Sequence, residues 1–261
     1  MQLANNKFYS ETSVFKAENL LREARRQKNL ESCDIPSICL LDPDGDILSY
    51  LIKSGQAKLN KCWACYHTQL YTFQIDGLDV GIIGYVVGSS FAVLVAEQAF
   101  ASGCQYLLSI TSSGVITPRQ DNVRYLLIDE TVRDEGTSYH YLSADEPARL
   151  NPELKNIFTK VLIPKNKTVS IGKSWTTDAP YRETASAISA MQKDGVQVVE
   201  MEAAALYAFA QANNKVVICL AHITNTMAQL ENDFEKGAEN GSLSSIDLVS
   251  SILSVLPIRE N

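Results

Sequence analysis

The chain has 261 residues, 46% of them hydrophobic, enough to bury one large core within a single α/β domain. Its 30 acidic and 23 basic residues leave a net charge of −7, which argues against a nucleic-acid partner, because phosphate-backbone binding needs concentrated Lys and Arg. No apolar stretch reaches the ~18 residues of a membrane span and the first residues lack a signal pattern, so a cytoplasmic protein without membrane contact is expected.

Residues 1–36 read as an N-terminal helical extension, in which Glu18-Asn-Leu-Leu-Arg-Glu-Ala-Arg-Arg-Gln-Lys28 is an amphipathic, basic surface helix. The main domain, 37–261, alternates short β-branched runs with helical patterns. Strands are predicted at 37–41, 71–75, 80–87, 106–110, 125–128, 168–171 and 216–221. Helices are predicted at 47–54, 91–102, 152–160, 182–193, 198–213 and 244–256. Such alternation implies a three-layer α/β/α domain with a mostly parallel central sheet, made mixed by the hairpin signal Asp76-Gly77. The stretch 237–241 reads as a mobile loop, and Glu231, Asp233 and Glu235 before it are placed to cover a site.

Six cysteines, Cys33, Cys39, Cys62, Cys65, Cys104 and Cys219, are scattered without a secretory signal, so buried thiols are expected rather than a disulfide framework. Cys62-Trp-Ala-Cys65, with His67 two residues on, has redox or metal spacing, yet no second ligand pair exists to complete a zinc site. Two thiols on a strand and no bound metal are the expectation there.

In sheets of this kind ligands gather beyond the carboxyl ends of the strands. Four segments rich in small hydrogen-bonding residues are predicted as loops there: Asp42-Pro-Asp-Gly-Asp46, Gly88-Ser-Ser90, Thr111-Ser-Ser-Gly114 and His222-Ile-Thr-Asn-Thr226. Their backbone and hydroxyl donors suit an anion or a sugar, and the same residues also suit plain tight turns. The most informative stretch is Val198-Val-Glu-Met-Glu-Ala-Ala-Ala-Leu-Tyr-Ala-Phe-Ala210, which sets Glu200 and Glu202 at the head of an apolar, alanine-rich helix. A buried carboxylate costs several kcal/mol unless hydrogen bonds compensate it, on the order of magnitude seen for ions taken out of water. Helix N–H groups supply part of that compensation, and a sugar diol, with two O–H donors for one carboxylate, supplies the rest. On a helical wheel the two glutamates lie about 200° apart, so different roles are expected.

Val199-Glu-Met-Glu-Ala-Ala204 resembles the ribose-binding helix start of the nucleoside phosphorylase superfamily, of the hexameric purine and uridine phosphorylase type that also includes nucleosidases. The resemblance runs over roughly 37–256. It implies a nucleoside phosphorylase-like fold, with Met201 under the ribose and Glu202 on its hydroxyls. Ile110-Thr-Ser-Ser-Gly114 resembles the family's hydroxyl-bearing segment, which makes Thr111 and Ser112 substrate-binding candidates. Asn225, supported by Thr224, falls where members place an Asp or Asn facing the base. Val132-Arg-Asp-Glu-Gly-Thr-Ser-Tyr-His-Tyr141 and Trp175-Thr-Thr-Asp-Ala-Pro-Tyr-Arg-Glu-Thr184 look closest to uridine-phosphorylase-like members, and the latter makes Tyr181 and Arg182 candidates for the base.

The departures from the family fall on its phosphate site. Ser109 stands at the position of the strongest phosphate-binding arginine, Asp42-Pro-Asp-Gly-Asp46 replaces a glycine-rich turn, Leu48 or Ser49 lies near a second arginine position, and Cys65 and Tyr66 lie near that of a neighbouring subunit's arginine. The resemblance implies an enzyme that cleaves the N-glycosidic bond of a nucleoside by pentosyl transfer to phosphate, with phosphate as co-substrate, no cofactor, and a homo-oligomer, dimer or hexamer, as the assembly. Asn225 donates a hydrogen bond but no proton at neutral pH, which favours uracil or a 6-oxopurine as leaving base. Two alternatives stay open. One is a nucleosidase using water activated by Asp46, or by Asp44, of the acidic segment; the other is a nucleoside-binding protein without chemistry.

Overall fold

The computed structural model describes residues 7–118, 122–227, 231 and 233–257. In chain order these form α1 (Ala17–Lys28), β1 (Ile38–Asp42), α2 (Asp46–Lys53), β2 (Lys58–Leu59), β3 (Tyr71–Ile75), β4 (Leu78–Gly84), α3 (Ser89–Phe100), β5 (Tyr106–Val115) and β6 (Tyr125–Asp134). After a 3-10 turn (Ser138–His140) come β7 (Ala148–Arg149) and α4 (Pro152–Ile157), which continues through a π turn (Phe158–Leu162) into α5 (Ile163–Lys165). The chain then runs through β8 (Val169–Thr177), a 3-10 turn (Pro180–Arg182), α6 (Ala185–Lys193), β9 (Val196–Glu200), α7 (Ala203–Asn213), β10 (Val216–Asn225), a turn (Ala238–Gly241) and α8 (Ser242–Leu253).

All ten strands join one mixed sheet whose two longest ladders, β10 on β5 and β6 on β8, are parallel. β1 lies between β4 and β5, parallel to both, and the antiparallel strands β3 and β2 extend that edge. Asp76 and Gly77, at φ 51° and 82°, make the tight turn that joins β3 to β4, as the hairpin signal implies. At the other end the sheet closes on itself. β5 pairs with β10, β10 with β6, β6 with β8, β8 with β9, and β9 returns to β5. This ring needs strands longer than the apolar runs suggest, and β5, β6 and β8 each continue well past them.

α7 is buried on every side from Ala203 to Ala210, which explains its small alanine side chains and its lack of a polar face. It packs against α3, β6 and β10. The Tyr207 hydroxyl ties it to the sheet, donating to the Ile128 carbonyl at 2.5 Å and accepting from the Cys219 N–H at 3.0 Å. α2 packs with α8 on the opposite side of the β1–β5–β10 region. α1 buries only Leu21 and Ala24, against Ala64 and the end of α3.

Four expectations are overturned. The stretch 198–213 is not one helix. Val196, Val198 and Val199 form the strand β9, because β-branched residues pair well on a sheet that needs a fifth ring member, and α7 starts only at Ala203. Thr111-Ser-Ser-Gly114 and 222–225 are not loops. They pair with each other as the ends of β5 and β10, Ser112 opposite His222 and Gly114 opposite Asn225, so the backbone edges they turn to each other are held in a ladder. Cys33 and Cys62 form a disulfide, and Cys62 lies in a turn rather than on a strand. α1 brings them together: Lys28 Nζ donates to the carbonyls of Ala64 and Cys65, and the Cα atoms of the cysteines come within 5.2 Å. Cys39, Cys65, Cys104 and Cys219 are buried free thiols, as expected. The 237–241 stretch is a turn packed on α2 rather than a free loop.

Candidate active site

Four strand ends, those of β4, β1, β5 and β10, lie side by side and present their carboxyl termini in one direction. The β9–α7 junction reaches the same place, because Gly114 of β5 pairs with Val199 on one side and Asn225 on the other. A Cβ at Gly114 would lie 2.8 Å from the Met227 sulfur and 3.1 Å from Asn225 Oδ1, so a larger residue would push these side chains aside. Glycine therefore lets the sugar-side and base-side candidates approach the same strand.

Glu200 and Glu202 have different surroundings, though not for the helical-wheel reason, because Glu200 ends β9 and Glu202 precedes α7. Glu200, at the end of β9, spends both oxygens within the fold. Oε1 accepts from the hydroxyls of Ser174, at 3.0 Å, and Thr176, while Oε2 accepts from the N–H groups of Glu202 and Ala203, each at 2.7 Å. Glu202 is only 1% exposed. Its Oε1 accepts from the Gly88 N–H at 2.7 Å, at the head of α3, whereas the buried Oε2 has no hydrogen-bond partner among the described residues. Burial, and next the charge of Glu200, push the Glu202 carboxyl up to about 8; the Gly88 N–H and the Thr111 hydroxyl act the other way. Ser89 Oγ donates to the Met201 carbonyl at 2.8 Å and fixes the junction to α3. Gly88, Thr111, Met201 and Glu202 are thus one group around an unsatisfied buried acceptor.

Asn225 sits at the end of β10, 8% exposed. Its Oδ1 accepts from the Met227 N–H at 2.9 Å, and one of its amide N–H groups donates to Thr224 Oγ1 at 3.1 Å, which leaves the second amide N–H for a ligand. Thr224 is fully buried, and its hydroxyl donates to the Ser113 carbonyl at 3.4 Å.

Ser112 points to the other face of β5, toward the acidic segment. Both its N–H and its hydroxyl donate to Asp44 Oδ2, at 3.0 and 2.5 Å. Asp46, the first residue of α2, is held by Lys236 Nζ at 2.5 Å on Oδ2 and by the Asn240 amide at 3.0 Å on Oδ1. Lys236 also lies 3.5 Å from Asp44 Oδ2. Desolvation weakens the ammonium, but the hydrogen bond to Asp46 and the charges of Asp44 and Asp46 outweigh it and hold the Lys236 pKa above its ordinary value. Beneath them Asp42 is 2% exposed and accepts from the Leu48 N–H at 2.8 Å; burial pushes its carboxyl up to about 7. Lys236 is the one charged member that sequence reasoning missed. Its signal is a single cation after the acidic run Glu231, Asp233 and Glu235.

Tyr181 and Arg182 stand apart from these residues. Both are on the exposed turn after β8, Tyr181 with 99% of its surface free, and neither hydrogen-bonds to the Glu202 or Asp44 groups. No set of three or more His, Cys, Asp or Glu side chains suited to a metal ion occurs among the described residues.

His222 stacks on Tyr125 at 4.8 Å between ring centroids and is 7% exposed. Gly241, at φ 79°, passes so close that a Cβ would come within 2.4 Å of the imidazole. Burial, reinforced by the Lys236 charge, lowers the His222 pKa to about 4, so the ring is neutral at physiological pH and is no proton donor to a substrate. The unfolded chain takes up a proton near pH 6.5 that the fold resists. This contribution therefore destabilises the protein progressively as pH falls from about 6.5 toward 4. Thermal unfolding followed across that window should show the loss, and His222→Gln should flatten it; an equally steep dependence in the variant would assign the effect elsewhere.

Residues 45–254 match the family model described as the phosphorylase superfamily. The chain belongs to this family. It is an enzyme of the nucleoside phosphorylase, or pentosyltransferase, kind. Among its relatives, a purine nucleoside phosphorylase (DeoD-type 1) of Shewanella oneidensis is 25% identical over 167 residues, 62% of this chain and 70% of that protein. A uridine phosphorylase of Thermococcus kodakarensis is 21% identical over 219 residues, 75% of this chain and 78% of the other. The fold is shared with a Toxoplasma gondii purine nucleoside phosphorylase solved with immucillin-H, at a TM-score of 0.69 and 14% identity, covering 84% of this chain and 89% of that one. A Vibrio fischeri uridine phosphorylase solved with 6-hydroxy-1-naphthoic acid superposes at a TM-score of 0.70 with 15% identity, over 88% of this chain and 97% of that one. The family match begins at Gly45, so it takes in Asp46 and every strand end of the site except that of β1.

Proposed function

We propose that this enzyme cleaves the N-glycosidic bond of a nucleoside of the uridine or 6-oxopurine type and transfers the pentosyl group to phosphate. The observation that carries the reading is the buried, unpartnered Oε2 of Glu202 beside Gly88 N–H and Thr111. A sugar hydroxyl satisfies that oxygen, and a carboxylate next to the pentose stabilises the positive charge that develops there as the bond to the base breaks. In the transfer, the C1′–N bond breaks with its electron pair going to the base, while an oxygen of the acceptor bonds to C1′. The free amide N–H of Asn225 donates to the departing base, which suits bases that leave as stabilised anions. Met201 lies under the sugar and Thr111 borders Glu202, while Ser112, on the other face of β5, serves the acceptor side and Thr224 positions the Asn225 amide. The reaction requires no further cofactor.

Hydrolysis is the second reading. Asp44 accepts both donors of Ser112, a placement suited to a carboxylate that takes a proton from water attacking C1′. In that reading Asp46, already held by Lys236 and Asn240, supports the loop.

Incubating a panel of nucleosides with and without phosphate, and separating released base by chromatography, tests both. Base release that requires phosphate supports the transferase, release without it supports the hydrolase, and tight binding with no release would leave a nucleoside-binding protein. We further propose a homo-oligomer. Tyr85 and Val87, just before Gly88, the partner of Glu202, and Leu94 on α3 are large hydrophobic side chains 61%, 51% and 41% exposed. Covering them with a second copy would shield the sugar site from water. Light scattering should give a dimer or larger, and Leu94→Glu should shift it toward monomer; a wild-type monomer at micromolar concentration would refute this assembly.

A further inference from the structure

The three arginine positions that the family uses for phosphate hold Ser109, Leu48 or Ser49, and Cys65 or Tyr66, so an acceptor anion needs another cation. One cation does reach the strand ends. The segment leading to α8 crosses them: Asp233 takes the N–H and hydroxyl of Thr226 at 2.8 and 2.7 Å, and the Glu235 N–H donates to the Thr224 carbonyl at 2.7 Å. Lys236 follows. Its side chain is 17% exposed and its Nζ lies between Asp46, at 2.5 Å, and Asp44, at 3.5 Å. Asp44 in turn occupies the N–H and the hydroxyl of Ser112 with a single oxygen.

Two donors of one residue and an ammonium, all converging on one carboxylate oxygen, make a cradle for an oxyanion. In this structure the chain fills it with its own carboxylate. We propose that Lys236 is the acceptor-binding cation of this enzyme, and that an incoming phosphate displaces Asp44 from Ser112 and takes up Lys236. The inference rests on the transferase reading above, and it names what that reading leaves open: which residue replaces the arginines. Asp46 keeps Lys236 in place while Asp44 moves away, because it holds the ammonium directly and is itself held by the Asn240 amide. Asp44 also accounts for specificity: an uncharged or weakly donating acceptor cannot compete with the tethered carboxylate, whereas a dianion can.

Inorganic phosphate is titrated, at constant ionic strength, against wild type, Lys236→Met, Lys236→Arg and Asp44→Asn. Two signals are read: the unfolding midpoint without nucleoside, and base release with it. Phosphate should raise the wild-type midpoint, since it binds only the folded state. Lys236→Met should raise the phosphate KM by about ten- to a hundredfold, the worth of one charge-assisted hydrogen bond, and lose the midpoint shift. Lys236→Arg should keep both, and Asp44→Asn should lower the phosphate KM about tenfold. Lys215→Met, a charge change at an exposed lysine over the Phe100 ring, should leave the phosphate response as in wild type. A wild-type phosphate response in Lys236→Met overturns the proposal, and so does an Asp44→Asn enzyme that loses base release at every phosphate concentration. A midpoint shift that depends on Lys236, without base release from any nucleoside, would refute the transferase reading and leave the anion site standing. Phosphate-independent base release with no midpoint shift would refute both the transfer to phosphate and the anion site, leaving only cleavage of the glycosidic bond.

Discussion

Glu202→Ala is expected to lower kcat/KM for nucleoside cleavage by about 10²–10⁴-fold, the equivalent of two hydrogen bonds to a charged acceptor at about 1.5–3 kcal/mol each. The fold should survive. Glu202 is a buried carboxyl pushed up to about 8 by desolvation and by Glu200, so removing it relieves that cost while leaving the Gly88 N–H without its acceptor. Glu202→Gln keeps that acceptor and is the cleaner variant. A sugar diol donates to the ionised carboxylate, so nucleoside binding pulls the Glu202 pKa down from about 8. Binding at pH 7 should therefore release a proton, and affinity should rise with pH up to about 8 and level off above it. Stability has the opposite trend. The folded state holds a proton on Glu202 that the unfolded chain loses near pH 4.5, so this contribution is fully present below 4.5 and declines as pH rises to about 8. Calorimetry in two buffers of different ionisation enthalpy measures the proton count. Unchanged turnover in a folded Glu202→Ala protein, or binding without proton release, would remove Glu202 from the sugar site.

How much of this could be read from the sequence depended on whether the signal was local. The Asp76-Gly77 turn and the alternation of apolar runs carry their own geometry, and the hairpin and the β1–β4–β5–β10 core follow from them. The oddity of Glu202 was legible because a charged residue inside an apolar run has few explanations, and the fold does bury it. The ring closure was not legible, since β5 and β10 continue through Ser, Thr and Asn, residues that read as loop until their partner strand is known. The strand β9 was hidden for a related reason: Val196-Gln-Val-Val adjoins an alanine-rich helix, and one continuous apolar pattern covers both. The Cys33–Cys62 bond depends on α1 packing beside a turn that lies 29 residues after Cys33, which spacing alone cannot show. Lys236 meets Asp46 across 190 residues, so the neutralisation of the acidic segment is a tertiary property.

Glu200→Ala is expected to cost the fold about 2–6 kcal/mol, because it strands two buried backbone N–H groups, of Glu202 and Ala203, at about 1–3 kcal/mol each. Against a total stability of about 5–15 kcal/mol for a domain, that change is visible as a lower urea midpoint at an unchanged slope. The same substitution unfixes the backbone of Glu202, so turnover should fall with stability. Glu200→Gln separates the two effects. Its amide oxygen can accept from the N–H groups while its NH₂ faces Ser174 and Thr176, whose hydroxyls rotate to accept. Most of the stability should return. The negative charge does not return, and that charge is the second cause, after burial, of the raised Glu202 pKa. In Glu200→Gln the pH at which nucleoside affinity levels off should therefore move below the wild-type value of about 8. A variant with restored stability and an unmoved pH profile would show that burial alone sets the Glu202 pKa, and that Glu200 serves only to hold the junction between β9 and α7.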